Sequence, residues 1–352
     1  MKKLTAMLML LLPFLAPAQN SNAPFPKDIF SNKQQVEQWL AQNNIPALGV
    51  GVISNGKLQH AQVFSATGKG PFADNAIFNV ASLTKPVVAY LTLQLVSAGK
   101  WQLDEPLHKY WTDPDVAADP RHQLLTARHV LTHQSGFTNW RYQQPGGKLA
   151  FEATPGTRYR YSGEGFEYLR RALDHKFNTT LDKLASELLL QPLGMKDTRF
   201  YWDATMPESR FAVGYDTTGK AYEVGPKNTA ANAADDLLTT IADYSKFLIA
   251  VMQGTRLSKD VFTAMTTNQV ATSRGKHFGL GFEKYDFDDG VFALSHGGAD
   301  RGVRTLAFII PQTGQGLVIF TNSDAGNKVY EPLVQEYLGK YGKTIIEIET
   351  KD

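Results

Sequence analysis

Phe78-Asn79-Val80-Ala81-Ser82-Leu83-Thr84-Lys85, running on through Pro86 into an apolar stretch that ends at Ser97, is the segment on which the reading of this chain turns. It contains a serine and a lysine three residues apart, a spacing that is weak information alone. The same pattern occurs at Ser54/Lys57, Ser97/Lys100 and Ser273/Lys276. An activated serine needs a base within hydrogen-bond reach and a positive environment for the oxyanion it generates. Ser54 falls at a hairpin turn and Ser273 in a Gly/Arg/Lys loop, so neither has a fixed relation to its lysine. Ser97 closes a helix ahead of Gly99, where the helix dipole has the wrong sign. Ser82 opens one. There the spacing puts Lys85 one turn on, on the same face, and the helix start offers free N–H groups and about half a positive charge. Pro86 is tolerable because its missing N–H would have bonded only the Ser82 carbonyl. From this segment alone, a capping serine beside a solvated lysine remains an equal reading.

Outward from this segment, the apolar periodicity predicts a first helix over 32–43, a buried strand over 47–53 and a return strand over 58–64. Asn55-Gly56 between them is a strong hairpin signal. Helices are predicted over 82–97, 126–133, 165–176 and 181–190, and another from a capping-box-like start at Thr240 to about 252. Strands return at 278–284, 292–296, 303–310 and 316–321. A last amphipathic helix carries Val329, Leu333, Tyr337 and Tyr341 ahead of a short tail. The expected fold class is α/β (α+β): one antiparallel sheet flanked by helices, with an inserted, mainly helical lobe. We place the sheet lobe at 19–80 plus 230–352, the helical lobe at 81–229, and a ligand site in the cleft between them.

The 352 residues are 43% hydrophobic and 20% charged, composition enough for a sizeable core. There is no cysteine, which excludes disulfide scaffolds, zinc–thiolate sites and cysteine nucleophiles. Lys2 and Lys3, an apolar run from Leu4 to Leu15, and Ala16-Pro17-Ala18 follow the order of a signal peptide over residues 1–18. The greasy part falls short of the roughly 20 residues of a spanning helix. The expectation is an exported protein, periplasmic or secreted, with no stable membrane anchor after cleavage. The formal charge of +2 drops to near zero without Lys2 and Lys3, so nothing points to nucleic acid.

The segment 78–85 resembles the nucleophile segment of the serine β-lactamase and penicillin-binding protein superfamily, and further stretches agree in order. These are Leu131-Thr132-His133-Gln134-Ser135-Gly136, Pro155-Gly156-Thr157-Arg158-Tyr159-Arg160-Tyr161-Ser162, Pro192-Leu193-Gly194-Met195 and Ser295-His296-Gly297-Gly298. The likeness is to the class C branch, with its D,D-peptidase, D-aminopeptidase and esterase relatives, and spans most of the chain. The resemblance implies that Ser82 attacks a carbonyl to form an acyl-enzyme and that Lys85 and Tyr161 exchange its proton. It implies that the N–H groups of Ser82 and Ala299 form the oxyanion hole, and that Gly297 and Gly298 leave a strand edge bare for substrate. Either Lys85 or Tyr161 could be the base. A phenol near pKa 10 needs a neighbouring cation for that role, supplied by Lys85 or a protonated His296. Arg301 and Arg304 are candidates to clamp a substrate carboxylate, against the plainer reading of solvated arginines. His129 and His133 have a superficial metal-pair spacing without the acid of a His-Glu-x-x-His motif, so neither a metal nor another cofactor is expected.

Two departures from the class C pattern stand out. Gly163 occupies the place of that branch's Tyr-x-Asn asparagine, and His296 replaces the lysine of Lys-Thr-Gly. Both weaken recognition of an acylamino-β-lactam and leave acyl transfer intact. The expected function is therefore a serine hydrolase of an ester, an amide or a D-amino-acid peptide, small molecules or peptides being its partners. The competing readings are a class C-type β-lactamase, a non-turnover penicillin-binding or cell-wall receptor, and a Ser-His-Asp hydrolase with His296 as base, for which no ordering acid is evident.

Overall fold

The computed structural model describes residues 23–224 and 227–351. The segment 1–18 lies outside them. Among the described residues no helix is long and apolar enough to cross a membrane.

Strands β1 (Ala47–Ser54) and β2 (Lys57–Ser65) form the expected hairpin. Asn55 and Gly56 both take positive φ, 52° and 68°, as a tight turn with the right-handed strand twist requires. Further on come β3 (Phe78–Asn79), β4 (Leu238–Thr239), β5 (Val270–Ala271), β6 (His277–Phe278), β7 (Glu283–Asp286), β8 (Phe292–Asp300), β9 (Val303–Ile310) and β10 (Gln315–Thr321). One eight-stranded sheet has the order β2-β1-β10-β9-β8-β7-β6-β5, and β3 pairs with β4 apart from it. Every pairing is antiparallel, with Val50 of β1 opposite Ile319 of β10 joining the two ends of the chain.

The helices are α1 (Lys33–Gln42), α2 (Thr84–Ser97), α3 (Ala127–Leu131), α4 (Gly163–Phe177), α5 (Leu181–Ala185), α6 (Ile241–Gln253), α7 (Lys259–Thr266) and α8 (Tyr330–Thr350). Strand alternation sorts the core onto the two faces of the sheet. Val50, Phe308, Leu317 and Ile319 pack with Val36 and Leu40 of α1 and Leu333 and Val334 of α8. Ile309, Val318 and Phe320 face the other way, toward Ile241 of α6 and the helical segment. Gly49 and Gly51 explain how α6 lies so close. A Cβ at either would come within 2.5 Å of the Ile241 or Ser245 side chain. The expected capping start of α6 is present, Thr240 Oγ1 accepting from the Asp243 N–H at 3.2 Å, a bond worth about 1 kcal/mol.

Three expectations need correction. The apolar run 278–284 is not one strand: β6 and β7 are separated by a turn through Gly279 and Gly281, the latter at φ 92° with its Cα set against Ala89 of α2. The run 181–190 is α5 followed by a wider turn over Ser186–Leu190. The chain end expected as a tail is helical to Thr350, α8 kinking through Gly339 at φ 57°. It stays helical because Tyr341 and Ile345 are buried and Glu349 bonds Lys276 at 2.6 Å and Tyr285 at 2.7 Å.

Candidate active site

Ser82 sits in a single 3-10 turn, Ala81–Leu83, ahead of α2 rather than as its first residue. Ala81 takes φ 48°, a conformation costing a side-chain-bearing residue about 1–2 kcal/mol. The surroundings impose it. The Ala81 N–H donates to Asn79 Oδ1 at 2.7 Å, Thr84 Oγ1 to the Ala81 carbonyl at 2.7 Å, and the Tyr244 hydroxyl to the Leu83 carbonyl at 2.9 Å. Thr305 of β9 bonds the Val80 carbonyl at 3.0 Å and fastens the turn to the sheet.

Lys85 is fully buried. Its Nζ donates to Ser82 Oγ at 2.9 Å and to the Ala234 carbonyl at 2.7 Å, and stands 4.7 Å from the Tyr161 ring centroid. Burial disfavours its charge and brings its pKa from 10.5 down to about 7, against the opposing pull of Asp235 and Glu167. Tyr161, just before the α4 cap at Ser162, also hydrogen-bonds Ser82. Burial pushes its phenol well above 10, only partly offset by that bond. The two candidate bases are thereby separated: near neutrality Lys85 is substantially free amine and Tyr161 is a proton-bearing phenol.

His296 lies on β8, its ring centroid 6.1 Å from that of Tyr161. Its Nδ1 donates to the Gly297 carbonyl at 2.7 Å. Burial, then the Lys85 charge, lowers its pKa to about 3. The cation that a protonated His296 could have offered is thus absent near neutrality, because a desolvated imidazole does not protonate there. Its Nδ1 partner is a carbonyl, so no carboxylate orients it as a triad base.

Gly298 is required. A Cβ there would collide with Thr305 Oγ1 and the Val80 carbonyl and lie 3.2 Å from the Ser82 nitrogen. Because β7 pairs only as far as Ser295, the β8 edge from His296 through Gly297 to Ala299 has no strand neighbour on that side among the described residues. Gly163 is equally constrained: a Cβ there would come within 2.8 Å of the Trp140 indole. Trp140 thus fills the space of the missing side chain, a substitution invisible in the sequence because the two residues are 23 apart.

Arg304 does not face the cleft. Its Nη1 binds the carbonyls of Asp300 and Val303, each at 2.7 Å, and Asp324 at 3.1 Å. Arg301 is exposed, its guanidinium 4.0 Å from the Tyr222 ring centroid. Together with Asn79, Trp202, Phe211, Tyr222 and Asp236 it lines a cavity of about 410 Å³. Residues from both expected lobes meet there. His133 is committed through Nδ1, which accepts from the Ser162 N–H at 3.1 Å.

The sequence reading missed Asp235, Asp236 and Asp300, which bring one carboxylate oxygen each to within 4.8 Å of one another. These three could share a cation. Burial, reinforced by Asp300 and opposed by Lys85, raises the Asp235 pKa to about 7. The adjacent acids of Ala234-Asp235-Asp236 were a weak signal, since acidic pairs are common on surfaces.

An antiparallel sheet with a helical segment on one face, and a Ser-x-x-Lys turn at their junction, is the architecture of the serine β-lactamase and penicillin-binding protein fold. The chain belongs to the Beta-lactamase family, whose pattern matches residues 32–336. It is similar to a beta-lactamase of Pseudomonas fluorescens, 26% identical over 285 residues, with 76% of this chain and 77% of that protein covered. Esterase EstB of Burkholderia gladioli is 30% identical over 173 residues, 41% of this chain and 43% of that protein. In three dimensions the chain resembles the D-amino acid amidase of Ochrobactrum anthropi SV3, crystallised with L-phenylalanine amide, at a TM-score of 0.70 and 20% identity over 89% of this chain and 99% of that one.

Proposed function

We propose that the protein is an exported serine hydrolase that cleaves an ester, an amide or a D-amino-acid peptide through an acyl-enzyme on Ser82. The observation that carries this reading is the 2.9 Å contact between the buried Lys85 Nζ and Ser82 Oγ. Neutral Lys85 accepts the Oγ proton as the Ser82–carbonyl bond forms. The carbonyl oxygen, now an anion, takes hydrogen bonds from the N–H groups of Ser82 and Ala299, each worth about 3 kcal/mol in such a site. When the tetrahedral adduct collapses, the leaving group departs with a proton drawn from the Lys85 ammonium, with the Tyr161 phenol hydrogen-bonded at Ser82 to relay it. Water then repeats the sequence and releases the acid.

An uncharged His296 and a Trp140-filled site at Gly163 favour esters, amides or peptides over β-lactams. The first supplies no charge for a β-lactam carboxylate, and the second supplies no amide for an acylamino group. Of the relatives, one is named a beta-lactamase and another an esterase. Export is supported by the basic, apolar and small-residue order of residues 1–18.

The test is labelling with a fluorophosphonate and with a fluorescent penicillin, read by intact mass. Alongside it runs a turnover panel of p-nitrophenyl esters, D-alanyl peptides, D-amino-acid amides and a chromogenic cephalosporin. Labelling lost in Ser82→Ala with turnover of an ester, amide or peptide is expected. Labelling that survives Ser82→Ala removes Ser82 from the mechanism, and a cephalosporin as the best substrate overturns the substrate preference.

A further inference from the structure

We infer that His133 is the positioning residue for Tyr161, bracketing it from both sides through its own carbonyl and ring nitrogen. The inference rests on the reading that Tyr161 serves Ser82. The Arg160 N–H donates to the His133 carbonyl at 2.7 Å, and the Ser162 N–H donates to His133 Nδ1 at 3.1 Å. The two residues flanking Tyr161 are thus bound to one residue 28 positions earlier in the chain. The space between those anchors is also filled: the His133 ring lies 4.2 Å from the Tyr161 ring, inclined at 34°. A residue that only filled space would supply the ring contact and the backbone carbonyl, but no acceptor for the Ser162 N–H.

Further observations fit. His133 is fully buried, and its φ is 55°, a left-handed conformation that histidine adopts at a cost. An acceptor at Nδ1 places the proton on Nε2, and Nε2 has no hydrogen-bond partner among the described residues. The Ser162 amide is therefore the ring's polar anchor. Burial, the largest cause, holds the imidazole neutral, so that Nδ1 remains an acceptor. Phe278 meets the ring edge-to-face at 4.9 Å and Phe166 lies 5.4 Å away, leaving little room to pivot.

The test compares His133→Phe, which keeps a ring and loses the acceptor, with His133→Asn. Asparagine tolerates positive φ and offers an oxygen near the Nδ1 position. Single-turnover acylation is measured on a chromogenic ester after labelling has shown that Ser82→Ala abolishes reaction. If that control fails, the proposed function falls before His133 is reached. Expected is an acylation rate lower by about 10²-fold for His133→Phe, the usual cost of misplacing a catalytic group by about 1 Å, with the substrate dissociation constant changed by less than about threefold, inside the factor-of-ten span of 1.4 kcal/mol. The Asn variant should recover at least about tenfold of the loss. In a Tyr161→Phe background, His133→Phe should cost less than about threefold more, because the two act as one unit. Additive losses, an Asn variant no faster than the Phe variant, or wild-type acylation by His133→Phe would each overturn the inference. If His133→Phe does not fold, His133→Gly takes its place with the same expected and refuting outcomes, since glycine accepts the backbone conformation without strain.

Discussion

The pH dependence of acylation follows from the Lys85 environment. At a pKa of 10.5 the free amine at neutral pH would be a few parts in ten thousand; at about 7 it is roughly half. Burial against α2 and the Ala234 carbonyl thus supplies on the order of 10³ times more base at pH 7. The acylation rate constant, taken by stopped flow on an activated ester between pH 5 and 9, should climb about tenfold per pH step below the midpoint and level off above it. At pH 5 it should be about 1% of its plateau. Neither His296, which titrates near 3, nor the Tyr161 phenol, above 10, can mimic this limb. Asp235, also brought to about 7, is told apart by Asp235→Asn, in which the limb persists. Lys85→Arg, whose guanidinium stays charged, should remove the limb and most of the rate. A profile still rising beyond pH 9 would transfer the base role to Tyr161. A Lys85→Arg rate within about tenfold of wild type would refute general-base catalysis by Lys85, since that role is ordinarily worth 10²–10⁴.

Other perturbations read neighbouring parts of the site. Asp235→Asn removes the negative charge that raises the Lys85 pKa, so the acylation midpoint should move to lower pH; a shift to higher pH would contradict the electrostatics. Gly298→Ala drives a methyl into Thr305 and the Val80 carbonyl beside the Ser82 nitrogen. It should cut kcat by about 10²–10³, the cost of a lost oxyanion donor, and unchanged kcat would show that Gly298 does not set that N–H. Lys85→Met should abolish acylation and stabilise the fold in acid. The lysine's folded pKa of about 7 lies below its unfolded value near 10.5, so its penalty is fully present below about 7 and fades as pH rises to the unfolded value. The urea-unfolding gain should be a few kcal/mol at about pH 6, after subtracting about 1 kcal/mol for each lost hydrogen bond, and should fall through zero near about pH 9. A gain that grew with pH would refute it.

What could be read from the sequence divides according to the range of the interaction. The hairpin at Asn55-Gly56, the cap at Thr240 and the nucleophile segment are local, set by φ preferences and by spacing within one turn. The separation of Ser82/Lys85 from its three look-alikes used only where a helix begins or ends, and the 2.9 Å contact is the form that choice takes in three dimensions. Tyr161 and His296 were reachable only through the order of the motifs, because nothing local marks a tyrosine before a helix cap as a partner of Lys85. Where the strand reading went wrong, a glycine carried the information. The strand expected over 278–284 is broken by Gly281, whose position against Ala89 belongs to α2 in another part of the chain.

The charge of His296 shows the same limit in the opposite direction. From sequence it is a histidine in the place of a lysine, with charge conditional on pH. In the structure the question is decided first by burial and then by Lys85, 211 positions earlier. The same low-dielectric space that frees the Lys85 amine also denies His296 its proton, so one cause creates the base and removes the anion anchor. A variant that admitted water beside Lys85 would raise both values together. Acylation would then need higher pH while His296 regained a charge for anionic substrates. Gain of free amine at neutral pH and loss of a fixed cation in the cleft are, in this site, a single property.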